Sequence, residues 1–224
     1  MSVWLVVPMK SLRDGKSRLA PALDPMRRRA FLERLLLRTL ERAAQFPGLE
    51  RTLLVSGCSE TRTRAAEFGA QVLEERACVG LNGALRQAQL AVRRLGASHM
   101  LVVPCDLPLL EAEDLRRLAD AGSAHSVGIA PDRARQGTNG LCLEPSLEFA
   151  FSFGPGSFVR HLEHVRQLGV QCVTVESAGL AFDVDLPEDL AHLGELERAG
   201  YASVIAPPPT ESPACAGLRR GFGD

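Results

Sequence analysis

Four cations crowd one short stretch of this chain: Lys10, Arg13, Lys16 and Arg18, all within nine residues. They follow the apolar run 3–7 (VWLVV), which reads as a buried strand. Positive charge gathered beyond a strand end must be solvated or face an anion, and phosphate oxygens are strong partners for it. Gly15-Lys16-Ser17 also matches the tail of a phosphate-binding P-loop. That motif needs a glycine five residues earlier, and Lys10 stands there. The loop is therefore a broken P-loop, a different phosphate-handling loop, or a solvated basic turn.

Carboxylates form a second constellation. Asp106 lies in Pro104-Cys105-Asp106-Leu107-Pro108, directly after an apolar run. A carboxylate held between two prolines suits a Mg²⁺ ion that bridges phosphates; a turn or helix cap is the plainer alternative. In Phe182-Asp183-Val184-Asp185 an extended backbone would put Asp183 and Asp185 on one face. Two such carboxylates repel unless a cation sits between them. With Asp106 they would complete an oxygen-ligand Mg²⁺ site, although Asp185 could instead cap a helix starting at Pro187.

Glycine-rich and polar turns supply the rest. Gly154-Pro155-Gly156-Ser157 leads into a helical pattern, where backbone N–H groups favour an anion or merely form a turn and cap. Thr138-Asn139-Gly140 lies upstream of it. Gly80-Leu81-Asn82-Gly83 opens another helical pattern, with Asn82 as a cap or as a reader of a base edge. His161 and His164 are spaced i, i+3, and with no Cys or Glu partner pattern they read as a solvated helix face. Arg27-Arg28-Arg29 reads as a solvated helix start.

These residues need elements to position them. Strand-like runs recur at 3–7, 52–56, 71–75, 100–104, 126–130, 140–143 and 170–176. Helical patterns occupy 25–45, 60–68, 81–95, 111–121, 157–168 and 187–198. In the longest, Leu32, Leu35, Leu36, Leu40, Ala43 and Ala44 share a face, and Asp24-Pro25 supplies a cap followed by proline at the first helical position. Alternating strand and helix argues for a three-layer α/β fold with a mostly parallel sheet. The two runs around 130–153 lack a helix between them and suggest an antiparallel strand or hairpin-like insertion. In such sheets ligands sit beyond the C-terminal strand ends, where the cations and Asp106 fall.

Bulk properties narrow the class. The chain has 224 residues and 46% hydrophobic content, enough for one substantial core over residues 1–205. The tail 206–224, rich in Pro, Ala, Gly and Ser, reads as disordered. A net charge of -1 argues against bulk binding to nucleic acid or a membrane surface. No apolar run approaches a membrane span, and the N-terminus lacks a signal-peptide pattern. Six scattered cysteines without a CxxC pair read as free thiols of a reducing compartment, so a cytoplasmic location is expected.

Taken together, the segments resemble the guanylyltransferases of deazaflavin (coenzyme F-420) biosynthesis, relatives of the molybdenum-cofactor guanylyltransferases. The resemblance rests on VVPMKSLRDGKSRLAP, GLNGAL, VVPCDLPLL, APDRARQGTNGLCLEP, FGPGSFVRH and FDVDLPEDL, spread in the family's order from residue 3 to about residue 198. It implies a Rossmann-like nucleotidyltransferase fold. It also implies transfer of GMP from GTP to 2-phospho-L-lactate, phosphoenolpyruvate or 3-phospho-D-glycerate, with release of pyrophosphate. On this resemblance Lys10, Lys16 and Arg18 steady the triphosphate, and Asp106, Asp183 and Asp185 hold Mg²⁺. Thr138, Gly154 and Ser157 match the acid-binding positions, and Pro8, Gly80 and Asn82 lie on the nucleotide side. Leu85, Ala88 and Gln89 are candidates for choosing the acid. The loop Val55-Ser56-Gly57-Cys58 departs from relatives, which more often carry an acidic or polar residue near Cys58, so no base contact is assigned there. A hand-off of product to the next enzyme, and a homodimer, stay open. The Gly-rich loop of sugar-phosphate and molybdopterin nucleotidyltransferases is missing after the first strand, which argues against those rivals. A non-catalytic nucleotide-binding module would not need three carboxylates.

Overall fold

The computed structural model describes residues 2–13, 15–76, 80–123 and 125–199. Cys78, Cys215 and the tail 206–224 lie outside the described residues. Seven strands form one sheet: β1 (Val3–Pro8), β2 (Thr52–Ser56), β3 (Gln71–Glu74), β4 (His99–Val102), β5 (Ser126–Pro131), β6 (Thr138–Leu143) and β7 (Gln171–Thr174). Their order is β3-β2-β1-β4-β6-β5-β7. β6 runs antiparallel to both β4 and β5, and the other pairs are parallel. The expected interruption of the alternation is thus a β5–β6 hairpin whose second strand inserts beside β4. That reversal has a functional consequence. Because Val102 faces Leu141 in an antiparallel ladder, the start of β6 projects past the C-terminal end of β4. Thr138 therefore reaches the same end of the sheet as Asp106.

The helices are α1 (Pro25–Gln45), α2 (Ser59–Phe68), α3 (Gly80–Arg94), α4 (Ala112–Ala121), α5 (Ser157–Gln167), α6 (Ala178–Ala181) and α7 (Pro187–Arg198). Alternation along β1 divides the core. Val3, Leu5 and Val7 face a cluster containing Leu32, Leu36 and Leu40 of α1, Ala65 of α2 and Leu115 and Leu118 of α4. Trp4 and Val6 face the opposite cluster, with Ala84, Leu85, Ala88 and Val92 of α3 and Phe158 and Val165 of α5. This is the three-layer arrangement the alternating pattern predicts. Asp24 caps α1 by accepting a hydrogen bond from Arg27 N–H at 2.9 Å, as expected, but Ala44 is exposed and leaves the apolar stripe one residue short.

A third, smaller cluster matters most for the site. Leu19, Phe31, Leu35, Phe182, Val184 and Leu193 are buried together. Leu19 ends the cationic loop, Phe31 and Leu35 belong to α1, and Phe182 and Val184 alternate with Asp183 and Asp185. Each fully buried side chain of this kind contributes about 1.5–3 kcal/mol. The cluster therefore fastens the cationic loop against the Asp-rich segment, although Leu19 and Phe182 lie 163 positions apart.

Candidate active site

Beyond the C-terminal ends of β1, β2 and β4 lies a cavity of about 920 Å³. Its wall contains Pro8, Lys10, Lys16, Gly80, Asp106 and Asp185, six of the residues singled out in the sequence. Gly15 sets the shape of the cationic loop: a Cβ there would stand 2.6 Å from the Ser11 carbonyl oxygen. Lys16 then adopts a left-handed backbone with φ of 52°. A single 3-10 turn follows (Ser17–Leu19), and α1 starts only at Pro25. A P-loop leads straight into its helix, so that reading is excluded on geometry as well as on its missing glycine.

The Lys16 ammonium sits between Asp106 and Asp185, hydrogen-bonded to both carboxylates. Burial disfavours its charge, but the two carboxylates outweigh burial and hold the ammonium above its ordinary pKa. Lys16 thus places a positive charge between the Asp106 and Asp185 carboxylates. Asp106 Oδ1 is buried with no hydrogen-bond partner, an acceptor left for a ligand.

Asp183, the third carboxylate of the expected set, is held by a neighbouring amide. Its Oδ1 accepts a hydrogen bond from Asn139 Nδ2 at 3.2 Å. Burial, followed by the negative charges of Asp106 and Asp185, raises its pKa despite that bond. Among the described residues no three His, Cys, Asp or Glu side chains form a ready-made metal cluster. Asp106 and Asp185 are the pair that converges. Nor does Asp185 cap α7. Asp189 does so, accepting from the N–H groups of Asp185 and Leu186 at 3.0 and 2.8 Å.

The four cations separate. Lys10 and Arg18 are exposed and make no ion pair with the described residues, and Lys10 lines the cavity. Arg13 turns away to Glu60 of α2 at 2.7 Å. Arg18 is not part of the cavity wall.

A second, quieter constellation stands at the start of β6. Thr138 Oγ1 lies 2.9 Å from His161 Nδ1, and Ser152 N–H donates to His161 Nε2 at 2.9 Å. His161 is fully buried, which corrects its reading as a solvated helix residue. Its partners come from the β5–β6 hairpin and from the segment before Gly154, both invisible to helical spacing. Gly154 and Gly156 take φ of 120° and 71°, turning the chain into α5. Ser157 and Thr138 are both buried, at 1% and 5% exposure.

Asn82 links α3 to the segment before Gly154. Its side-chain amide clamps the Phe153 backbone, accepting from Phe153 N–H at 2.8 Å and donating to Phe153 O at 3.3 Å. Both amide ends are engaged, and the residue braces α3 against the Gly154 turn. Leu85 and Ala88 are fully buried core residues, and Gln89 donates to Leu147 O at 2.8 Å. None of the three lines the cavity. What the sequence did not single out is Glu75, on the cavity wall just past β3. A Cβ on Gly57 would stand 3.8 Å from Glu75 Oε2, which places the carboxylate across from the β2 loop. The acidic pair Glu74-Glu75 closing a strand run is its one available signal.

Cys58, Cys105, Cys142 and Cys172 are free thiols, consistent with the sequence reading at the described positions. Burial, and then the Asp106 charge, push the Cys105 thiol up to about 12. No helix among the described residues is long and apolar enough to cross a membrane.

The mostly parallel sheet of this order, with charged residues at its C-terminal strand ends, is an α/β fold shared with solved nucleotidyltransferases. A nucleotidyl transferase from Methanothermobacter thermautotrophicus superposes with a TM-score of 0.68 at 17% identity, covering 88% of this chain and 99% of that one. Residues 3–197 match the family model described as "Guanylyl transferase CofC like". The chain is 43% identical over 194 residues to the phosphoenolpyruvate guanylyltransferase of Rubrobacter xylanophilus, covering 86% of this chain and 94% of the relative. It is 31% identical over 193 residues to the 2-phospho-L-lactate guanylyltransferase of Methanothermobacter thermautotrophicus, covering 86% and 84%. The chain belongs to the CofC-like guanylyltransferase family.

Proposed function

We propose that this guanylyltransferase moves GMP from GTP onto phosphoenolpyruvate in coenzyme F-420 biosynthesis, releasing pyrophosphate. The observation that carries the reading is the cavity wall, where Lys10 and Lys16 meet Asp106 and Asp185 beyond the strand ends. The choice of acid follows the relatives: those at 43% and 37% identity are phosphoenolpyruvate guanylyltransferases, and the 2-phospho-L-lactate enzyme stands at 31%.

The chemistry asks little of nucleophilic side chains. A phosphate oxygen of the acid is already an anion and attacks the α-phosphorus of GTP; pyrophosphate leaves. The obstacles are repulsion between two polyanions and charge growing on the leaving group, which fixed positive charge and positioning relieve. Lys10, free of ion pairs among the described residues, and Lys16 supply that charge from one side of the cavity. Glu75 offers two acceptor oxygens on the wall, the complement of the N1–H and N2–H₂ donors of guanine. Thr138 and the backbone of the Gly154 turn hold the acid.

Mg²⁺ fits the residues present. Asp106 and Asp185 are hard oxygen donors already gathered round a cation, and Asp106 keeps an unpartnered oxygen. Mg²⁺ is commonly held by one or two carboxylates together with water and substrate phosphates, so Asp183 is not required as a direct ligand. When bound there, the ion would neutralise phosphate charge. Lys16 would then give up its carboxylates and turn its ammonium toward the phosphates.

The test is pyrophosphate release from GTP with phosphoenolpyruvate, 2-phospho-L-lactate and 3-phospho-D-glycerate in turn, with the adduct identified by mass. Fastest release with phosphoenolpyruvate, abolished by chelation of Mg²⁺, is expected. Preference for another acid would overturn the choice of substrate, and no release with any acid would overturn the transferase reading.

A further inference from the structure

We propose that His161 is a positioning residue that sets the Thr138 hydroxyl as a hydrogen-bond donor for the acid substrate. The inference rests on the reading above that Thr138 helps to hold the acid.

The direction of each bond is fixed by a short chain of logic. Ser152 N–H can only donate, and it donates to His161 Nε2 at 2.9 Å. That nitrogen must therefore keep its lone pair, and the neutral ring carries its hydrogen on Nδ1. Nδ1 stands 2.9 Å from Thr138 Oγ1, so the ring donates and the hydroxyl accepts. The hydroxyl's own hydrogen is left for another partner, and no further bond to it is present among the described residues. A phosphorylated carboxylic acid presents only acceptors in its ionised form. The opposite arrangement, with Thr138 donating to the ring, would aim oxygen lone pairs at an anion.

The surroundings keep this arrangement in place. His161 is fully buried. The Phe149 and Phe153 rings stand 5.5 and 5.0 Å from its imidazole, centroid to centroid. Burial, then the charges of Arg160 and His164, push its pKa down to about 4, so the ring stays neutral at physiological pH. Asn82 holds the adjoining Phe153 backbone from α3, which fixes the other end of the same segment.

Two amide substitutions separate the ring's two roles. In His161→Asn the amide nitrogen replaces Nδ1 and can still donate to Thr138, whereas the bond from Ser152 is lost. In His161→Gln the amide oxygen reaches the Nε2 position and keeps Ser152, whereas the donor to Thr138 is lost. A hydrogen bond to a charged group is worth about 1.5–3 kcal/mol, so Thr138→Val and His161→Gln should each raise KM for the acid about tenfold or more. KM for GTP should move less than about twofold, and His161→Asn should lose much less acid affinity than His161→Gln. Combining His161→Gln with Thr138→Val should be no worse than Thr138→Val alone. A greater loss in His161→Asn, or additive losses in the double variant, would overturn the inference while leaving the acid site standing. No effect of Thr138→Val would overturn the acid site and the inference with it. The native protein offers a check that needs no variant: nitrogen NMR of His161 should show hydrogen on Nδ1, and the Nε2–H tautomer would contradict the proposal.

Discussion

The two halves of the site are built from opposite materials. On the proposed nucleotide side, Lys16 is paired directly with Asp106 and Asp185, Lys10 lines the same open cavity, and full charges dominate. On the proposed acid side, Thr138, His161, Ser152 and Asn82 form a buried shelf of neutral hydrogen bonds. The contrast fits the ligands proposed for each. A triphosphate brings charge that must be countered by charge. A small acid needs orientation, which short groups braced by hydrogen bonds supply with little freedom to move. Charge can also tolerate solvent, whereas a neutral hydrogen-bond relay is specific only when water is excluded.

The comparison can be broken at its charged side first. Asp106→Asn should lower kcat about a thousandfold, as removal of a key electrostatic group does, while GTP still binds. Pyrophosphate release and GTP titration together check this, and retention of activity would remove Asp106 from the machinery. Glu75→Ala should come next. Losing both acceptors for the guanine edge should raise KM for GTP about tenfold to a hundredfold and narrow the preference over ATP. An unchanged GTP/ATP ratio would place base recognition elsewhere on the wall.

The neutral side predicts a pH effect on stability. Above pH 6.5 His161 is uncharged in both the folded and the unfolded chain, and the fold has its full stability. Between 6.5 and about 4 the unfolded chain takes up a proton that the fold resists, so stability falls across that window. The loss is on the order of 3 kcal/mol from this residue. Denaturant unfolding at pH 7 and 4.5 should show a smaller fall in His161→Asn than in the native chain; equal falls would contradict a buried neutral imidazole. The smallest effect is expected at Arg13, whose ion pair with Glu60 is exposed. Arg13→Ala should change stability by no more than about 1 kcal/mol and leave turnover intact, which separates it from Lys10 in the same loop.

The same contrast explains what the sequence could reveal. Charges crowded beyond an apolar run announce themselves, and so Lys10, Lys16, Asp106 and Asp185 were legible although Lys16 and Asp185 lie 169 positions apart. What spacing could not disclose is which cation fills the gap between the carboxylates. That depends on the Leu19–Phe182–Val184 cluster, a tertiary contact. Neutral relays leave no such mark. His161 at i, i+3 from His164 looks like any solvated helix face until the Phe149–Phe153 segment covers it. Asn82 looks like a helix cap until Phe153, 71 residues away, occupies its amide.

Secondary structure followed the same rule. All seven strand runs are present, because apolar alternation is local. β6 begins at Thr138 rather than residue 140, since its polar first residues are held by pairing with β5 and not by their own propensity. The one-turn helix α6 (AGLA) is absent from the pattern because four residues are too few to show a helical period.

The division of labour is tested most directly by measuring KM for both substrates in Lys10→Met and Thr138→Val side by side. The account predicts that Lys10→Met raises KM for GTP with little change for the acid, and that Thr138→Val does the reverse. Both variants shifting both constants together would contradict a site made of a charged nucleotide half and a neutral acid half.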